Sequence, residues 1–318
     1  MRSRRFLTTT ATALALATLA ACGGGSSGGS APSSGGNGGG ASGSLTVGAA
    51  GFTESNLLAQ MYADLLEKAG FTVNVKTVAS QEVFQSSLEK GDIAVVPEYA
   101  ATYANSMQTA VTGTQTPDAA SPDLDTTVAN LEKYLPKKGL THLDPAQAVD
   151  QNAFAVTKDF ASKHNLTTLT DLGKSGISVK LAAPAECPTR PFCQPGLEKT
   201  YNIKISGITP LAFDSVPLKQ AVKTGKVQLG LVATTDATLG DFGLVVLADD
   251  KKLQNADNLI PIVNAKVLAD HPQIADAINP LASVLTTEDL ANLNNQVDGE
   301  RKTVEDVAKA YLQDKGLL

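Results

Sequence analysis

The chain has 318 residues, with 26 Lys and Arg against 32 Asp and Glu, and its formal net charge is −6 at pH 7. An acidic chain without a basic stripe is a poor candidate for binding nucleic acid, so we exclude that class. The residues that follow the first 44 are enough for one large or two medium domains.

The chain begins with the three parts of an export signal. Three early arginines and an apolar run over 11–20 lead into Leu19-Ala20-Ala21-Cys22. Charge, a short apolar core and small residues in this order are typical of a secretory signal, here with a lipoprotein cleavage box. The sequence therefore predicts a signal peptide over 1–21 and a lipid on the Cys22 thiol, which would anchor the protein on the extracytoplasmic face of the cell membrane. The alternative is a secreted protein in which Cys22 has no role.

The segment after Cys22 is almost entirely glycine and serine. Eleven glycines and seven serines occupy the twenty-two positions from Gly23 to Ser44. Such a segment cannot bury apolar surface, so the sequence predicts a flexible tether over 22–44. Because removal of the signal deletes three arginines and no acids, the mature chain carries a net charge of about −9.

From Leu45 the sequence alternates short β-rich runs with amphipathic helices, which is typical of an α/β fold. The order β-α-β-α-β predicts a mainly parallel sheet flanked by helices. Gly70 and Gly91 are expected to end the two helices, and Ser80 to cap the second. The predicted elements are a strand over 45–47, a turn over 48–51, a helix over 54–68, a strand over 71–78, a helix up to Glu89 and a strand over 93–96.

A weak internal repeat follows. Residues 87–99 and 221–236 both show a helix end, a glycine, a buried strand and then a polar loop at the strand's carboxyl end. The repeat predicts two similar α/β lobes, each with a loop of the kind that binds ligands in open sheets. The alternative is that any α/β protein repeats helix, glycine and strand.

Two cysteines, Cys187 and Cys193, lie six positions apart in a chain that is expected to be exported. That context favours a disulfide. A metal site is the rival interpretation, but the three histidines His142, His164 and His271 are distant in sequence. We therefore expect no metal and no other cofactor.

Two motifs resemble parts of enzyme sites. Residues 173–175 read Gly-Lys-Ser, but a phosphate loop also needs a glycine at Thr168. Residues 87–90 and 223–225 resemble two of the three elements of penicillin-recognising serine enzymes, and the third element is missing. We expect a protein that is not an enzyme, with a secreted serine enzyme as the alternative.

Segments 47–56, 91–103 and 186–196 carry a family resemblance, together with Thr235-Asp236 and the closing segment 303–318. The chain resembles the solute-binding proteins of ABC importers for osmoprotectants such as glycine betaine, choline and carnitine. The resemblance implies a two-lobe clamp of the type II periplasmic-binding class, an ABC permease and its ATPase as partners, and a monomer. A lipoprotein that senses its solute without transport is a further alternative.

The resemblance also implies where the chain divides. Residues 45–151 and 255–318 are expected to form the first lobe, and residues 152–254 the second. The expected ligand is a small polar or zwitterionic solute held between them.

In that family an aromatic cage holds the quaternary ammonium, because a fully methylated nitrogen has no donors and is attracted by π faces. By resemblance, Tyr99 matches a cage tyrosine, Thr102 a threonine that contacts the ligand carboxylate, and Arg190 the arginine that binds that carboxylate.

The chain departs from the family at the other cage positions. Three tyrosines are replaced by Asn152, Ala233 and Asp257, and a lysine is replaced by Ala50. Asn152 and Asp257 would suit a ligand with hydroxyl or primary amine donors. Four phenylalanines could replace the lost aromatic side chains: Phe52, Phe154, Phe192 and Phe213. The full set of expected ligand-binding residues is Phe52, Thr53, Tyr99, Thr102, Asn152, Arg190, Thr235 and Asp257.

Overall fold

The strands of the computed structural model form two five-stranded sheets within one compact unit. The structure describes residues 43–78, 81–114 and 118–318, so the predicted signal, Cys22, most of the tether and the cap at Ser80 lie outside the described residues. The strands are β1 (Ser44–Ala50), β2 (Thr72–Val78), β3 (Val95–Tyr99), β4 (Leu140–His142), β5 (Asn152–Thr157), β6 (Ser178–Ala183), β7 (Lys204–Pro210), β8 (Leu229–Ala233), β9 (Leu244–Leu247) and β10 (Leu259–Asn264).

Helices flank both sheets, and two short 3-10 turns lie at Leu135–Lys138 and Cys187–Thr189. The helices are α1 (Thr53–Lys68), α2 (Gln81–Lys90), α3 (Ala100–Thr112), α4 (Leu124–Leu131), α5 (Lys158–His164), α6 (Leu169–Ser175), α7 (Gln194–Tyr201), α8 (Val216–Lys223), α9 (Ala265–Asp270), α10 (Gln273–Val284), α11 (Thr287–Asp298) and α12 (Val304–Asp314). Within the described ranges, no helix is long and apolar enough to cross a membrane.

The two sheets share one arrangement. The first has the strand order β2-β1-β3-β10-β4 and the second has the order β7-β6-β8-β5-β9. In each sheet three strands pair in parallel and two further strands join in antiparallel pairing. The α/β class is confirmed, and both sheets are mixed. We call the sheets with their helices the first lobe and the second lobe.

The chain passes between the sheets twice. It leaves the first sheet after β4 and enters the second at β5, then returns between β9 and β10. Both connections reach the space between the two sheets, because Asp150 lies on one and Asp257 lies on the other.

The first strand is longer than its sequence predicts. The predicted turn over 48–51 is wrong, because β1 continues to Ala50. Gly48 lies inside the strand, where a Cβ atom would come within 2.8 Å of Val96 and 3.1 Å of Ile93. The glycine therefore allows a close approach within the sheet and does not form a turn.

A second correction concerns residues 97–99, which the repeat predicts as a polar loop. They belong to β3 and pair in antiparallel fashion with β10, with Pro97 opposite Pro261 and Tyr99 opposite Leu259. This pairing joins segments that are far apart in sequence, so local pattern could not predict it.

The predicted helices are confirmed with small changes at their ends. The apolar residues of α1 are all buried in one core: Leu57, Leu58, Met61, Leu65 and Leu66. Burying each such side chain contributes about 1.5–3 kcal/mol, so packing rather than intrinsic propensity stabilises this helix. Gly70 and Gly91 follow α1 and α2 with φ of 101° and 83°, a conformation that glycine adopts without strain.

Gly173 allows a close contact between two helices of the second lobe. A Cβ atom at this position of α6 would lie 1.8 Å from the carbonyl oxygen of Tyr201, at the end of α7. Thr168, where a phosphate loop would need glycine, caps α6 and forms a reciprocal capping box with Asp171. The glycine therefore serves helix packing, and the phosphate-loop interpretation finds no support.

Candidate functional site

Two adjoining cavities lie between the lobes. The main cavity, of about 360 Å³, is lined by Thr102 of α3, Asn152 of β5 and Asp257 of the returning connection, among others. The adjoining cavity, of about 350 Å³, is lined by Thr53 and Glu54 of α1 and by Thr235 after β8. Asp150 and Ala233 line both cavities. Together they form one cleft with walls from both lobes.

Asp257 is fixed by the first turn of α3. One of its carboxylate oxygens accepts the Thr102 backbone N–H at 2.9 Å, and the other accepts the Thr102 hydroxyl at 2.7 Å. A carboxylate is favoured at a helix N-terminus, where backbone N–H groups have no partner in the helix. Burial nevertheless raises the pKa of Asp257. The aspartate and Thr102 therefore form one rigid wall of the main cavity.

The opposite wall comes from the second sheet. Asn152 begins β5 and pairs directly with Ala233, which ends β8. Two of the positions that correspond to cage tyrosines are thus neighbours through strand register, and Asp257 completes the three at the same cavity. None of the three carries an aromatic ring, so these positions offer hydrogen-bonding groups and space in place of π faces.

Tyr99 is not among the residues that line the two cavities. The residue is half-buried, and its hydroxyl donates to Glu54 at 2.5 Å. Desolvation and that neighbouring carboxylate raise the pKa of Tyr99 well above its usual value. The role of Tyr99 in ligand binding stays a prediction, and in this structure the side chain supports Glu54.

Glu54 is a buried acid of the cleft with a defined set of partners. Its side chain is only 4 % exposed, and its second oxygen accepts Asn294 Nδ2 at 2.7 Å. Burial, followed by the charge of Asp150, raises the pKa of Glu54 to about 7. The carboxyl is therefore protonated in part at neutral pH.

Hydrogen bonds continue from Glu54 across the cleft. Asn294 Nδ2 also donates to the carbonyl oxygen of Thr235 at 3.3 Å, and the Thr235 hydroxyl donates to Asp150 at 2.9 Å. The network links α1 and α11 of the first lobe to the end of β8 in the second lobe. Sequence analysis missed Glu54, Asp150 and Asn294. Two signals were available in the sequence: Glu54 directly follows Phe52-Thr53, and Asp150 lies just before the start of β5.

The disulfide between Cys187 and Cys193 is confirmed. It encloses Arg190, whose side chain is 61 % exposed and pairs with Glu186 at 2.8 Å. The guanidinium does not line either cavity, whereas Phe192, two residues further on, lines the main one. The disulfide loop thus brings an aromatic ring to the cleft, and the role predicted for Arg190 stays a prediction.

The remaining predicted residues divide between the cavities. Phe52, Thr53 and Thr235 line the adjoining cavity, and Phe213 lines the main one. Phe154 belongs to the core of the second lobe with 1 % exposure, so its suggested place in a cage is wrong.

The serine-enzyme motifs do not meet. Residues 87–90 lie on α2, which packs on the first sheet, and Lys223 lies on α8, which packs on the second. Among the described residues, no group of three or more His, Cys, Asp or Glu side chains could hold a metal ion.

Comparisons with known proteins agree with this geometry. The family model described as the substrate binding domain of ABC-type glycine betaine transport systems matches residues 43–314. Among curated proteins, the glycine betaine-binding protein YehZ of Escherichia coli is 29 % identical over 286 residues, covering 87 % of this chain and 92 % of that protein. The carnitine transport binding protein OpuCC of Listeria monocytogenes is 27 % identical over 283 residues, covering 85 % and 86 %.

Solved structures show the same fold. The apo YehZ structure from Escherichia coli has a TM-score of 0.76 at 28 % identity and covers 86 % of this chain and 99 % of that chain. Lactococcal OpuAC in its closed, liganded conformation with glycine betaine has a TM-score of 0.51 at 16 % identity, covers 86 % and 96 %, and is similar in fold alone.

Proposed function

The chain belongs to the family of substrate-binding domains of ABC-type glycine betaine transport systems, the extracytoplasmic solute-binding components of ABC importers, and we propose that the main cavity is where it captures its solute. A small polar or zwitterionic solute would enter the open cleft, and the two lobes would close over it. Closure removes water and strengthens the few polar contacts that decide specificity. The loaded protein would then deliver the solute to a membrane permease driven by an ATPase.

One observation carries this proposal. Four residues from four distant segments meet at a single cavity, and each corresponds by resemblance to a ligand-contacting position of the family: Thr102, Asn152, Ala233 and Asp257. Such convergence is not expected of surface residues chosen at random. We further propose lobe boundaries at 151/152 and 254/255, which the passage of the chain between the sheets supports.

Filling the main cavity should abolish binding. Ala233→Trp places an indole where both cavities meet, so it should remove binding that calorimetry detects for the mature protein with a panel of glycine betaine, carnitine, choline and other small polar solutes. Binding stabilises the folded state by mass action, by about 2.7 kcal/mol when the free solute is at a hundredfold excess over Kd, and so raises the melting temperature. Val245→Trp, at an exposed position of β9 outside both cavities, is the matched control.

Unchanged solute affinity in Ala233→Trp would contradict the assignment of the cavity. Solute uptake by cells that carry the intact permease distinguishes transport from a purely sensing lipoprotein, because a sensor would bind the solute without supporting its uptake.

We propose that Cys22 carries a lipid and that the mature protein is a monomer on the extracytoplasmic face of the membrane. The lipoprotein box and the Gly/Ser segment that follows support this. Cys22→Ala should release an unacylated protein from the membrane fraction or leave the signal uncleaved. Mass spectrometry of the mature protein and membrane fractionation test this, and equal retention with unchanged mass would contradict it.

A further inference from the structure

Three carboxyl groups of the cleft have no basic partner among the described residues. Glu54, Asp150 and Asp257 form no ion pair, whereas the nearby Lys219 is already paired with Asp236 at 2.8 Å and with Asp214 at 3.6 Å. No lysine or arginine in the described part of the chain lines either cavity. Among the described residues, these three carboxyl groups are therefore stabilised by hydrogen bonds and not by ion pairs.

Asp150 is the central member of this group. It lies where the two cavities meet, and the Thr235 hydroxyl is the one side-chain donor that the described structure gives it. Burial raises the pKa of Asp150 and of Asp257, and the charge of Asp150 raises the pKa of Glu54 as well. Carboxylates that are poorly solvated and close to one another are stabilised by any cation that enters between them.

A second observation also points to a ligand with donors. Asn294 is 7 % exposed, and its Oδ1 accepts no hydrogen bond from any described residue, although the side chain lines the adjoining cavity. A buried acceptor without a partner is unfavourable, so a donor that reaches it is favoured. Further amide side chains line the main cavity: Asn105, Gln151, Asn152, Gln254 and Asn255.

The aromatic content of the cleft is low by contrast. Phe192 and Phe213 line the main cavity and Phe52 lines the adjoining one, and no described tyrosine or tryptophan lines either cavity. A quaternary ammonium has no N–H group for a carboxylate or an amide oxygen, and its binding depends on aromatic faces. The polar lining therefore matches a ligand that donates hydrogen bonds better than a fully methylated one.

We propose that the solute is a small cation with N–H donors, an alkylammonium or a guanidinium, whose charged end lies between Asp150 and Asp257. Phe192 and Phe213 would contact its hydrocarbon part, and the amide side chains would orient the remainder. This inference rests on the proposed function, since it names the solute class of the same cavity. It also replaces anion capture by Arg190 as the main source of affinity.

The test uses calorimetry on the mature protein at neutral pH. The probes with N–H groups are putrescine, agmatine and ethanolamine. The probes without them are fully N-methylated putrescine, choline (the fully N-methylated form of ethanolamine) and glycine betaine. At least one N–H cation should bind, and methylation should weaken it by more than about tenfold, the factor that 1.4 kcal/mol gives. Asp150→Asn keeps the acceptor for Thr235 and should weaken the cation at least about thirtyfold, as expected when a desolvated charge loses its partner.

Asp276→Asn, on the exposed surface of α10, is the matched control and should leave affinity unchanged. Ala233→Lys and Ala233→Met form a second pair with nearly equal volume, and only the lysine supplies an internal counter-charge. The lysine variant should lose cation binding well beyond the methionine variant. This pair keeps the test decisive if Asp150→Asn unfolds.

Three results would overturn the proposal. Choline or glycine betaine could bind more tightly than every N–H cation, binding could survive Asp150→Asn, or binding could be lost in Arg190→Ala. Each of these leaves the proposed function intact, because a solute still binds in the cleft. If neither the N–H cations nor the fully methylated compounds bind, the proposal fails. If cells that carry the intact permease also take up none of these solutes, the proposed function fails as well.

Discussion

Replacing Gly173 with alanine is expected to lower the free energy of unfolding by about 3 kcal/mol, the upper part of the range for overpacked cores. The added methyl group would lie 1.8 Å from the backbone oxygen of Tyr201, which cannot move without shifting the end of α7. Since α7 follows the disulfide loop that carries Phe192, the second lobe should lose stability near the cleft.

Urea unfolding, followed by circular dichroism, measures this effect. Gly240→Ala is the matched control, because a Cβ atom at that position would meet nothing within 4 Å and its φ is not positive. Equal unfolding midpoints for the two variants would show that α6 and α7 can separate at little cost.

The second large effect is a pH dependence of stability that arises at Glu54. Its pKa is raised from 4.5 to about 7 in the folded protein, so the folded state binds more protons than the unfolded state between these values. The free energy of unfolding should therefore be highest below pH 4.5, as far as this group is concerned, and fall as pH rises to about 7. The loss is about 3 kcal/mol, since a tenfold difference in proton affinity between the folded and unfolded states corresponds to about 1.36 kcal/mol.

Glu54→Gln removes this titration, so the difference in unfolding free energy between wild type and variant should change with pH over that range. Denaturant titrations at about pH 4.5, 6 and 7.5 provide the measurement. Glu67→Gln, on the exposed side of the same helix α1, is the control and should run parallel to wild type. Parallel curves for Glu54→Gln would show that the carboxyl is not perturbed by its burial.

Local patterns were enough to predict much of the first lobe. The apolar spacing of α1 and the glycines after α1 and α2 follow from chain geometry over a few residues. The extension of β1 through Gly48 and the inclusion of Tyr99 in β3 depend on contacts with distant segments. Sequence spacing carries no information about these pairings, so the predicted boundaries were wrong there.

The candidate site shows the same division. Resemblance predicted positions along the chain. Strand register brings Asn152 and Ala233 together, and hydrogen bonds with the first turn of α3 hold Asp257 at the same cavity. Resemblance did not predict the contact between the Tyr99 hydroxyl and Glu54, and the role of Tyr99 in ligand binding stays a prediction. Glu54 and Asp150 are distinguished by their burial and by the lack of a basic partner among the described residues. Both properties depend on how the two lobes pack together, so local sequence could not predict them.

The late return of β10 to the first sheet has a consequence for the order of folding. All five strands of the second sheet lie within one continuous segment, so that lobe can form as soon as the segment is available. The first sheet must wait for residues beyond Leu259, and until then β3 has an open edge with the apolar residues Val95 and Val96. Such an edge can pair with another chain, and long-range pairing is slow. We therefore expect the N-terminal lobe to complete its structure last, with β10 acting as the strand that protects the nascent protein from aggregation.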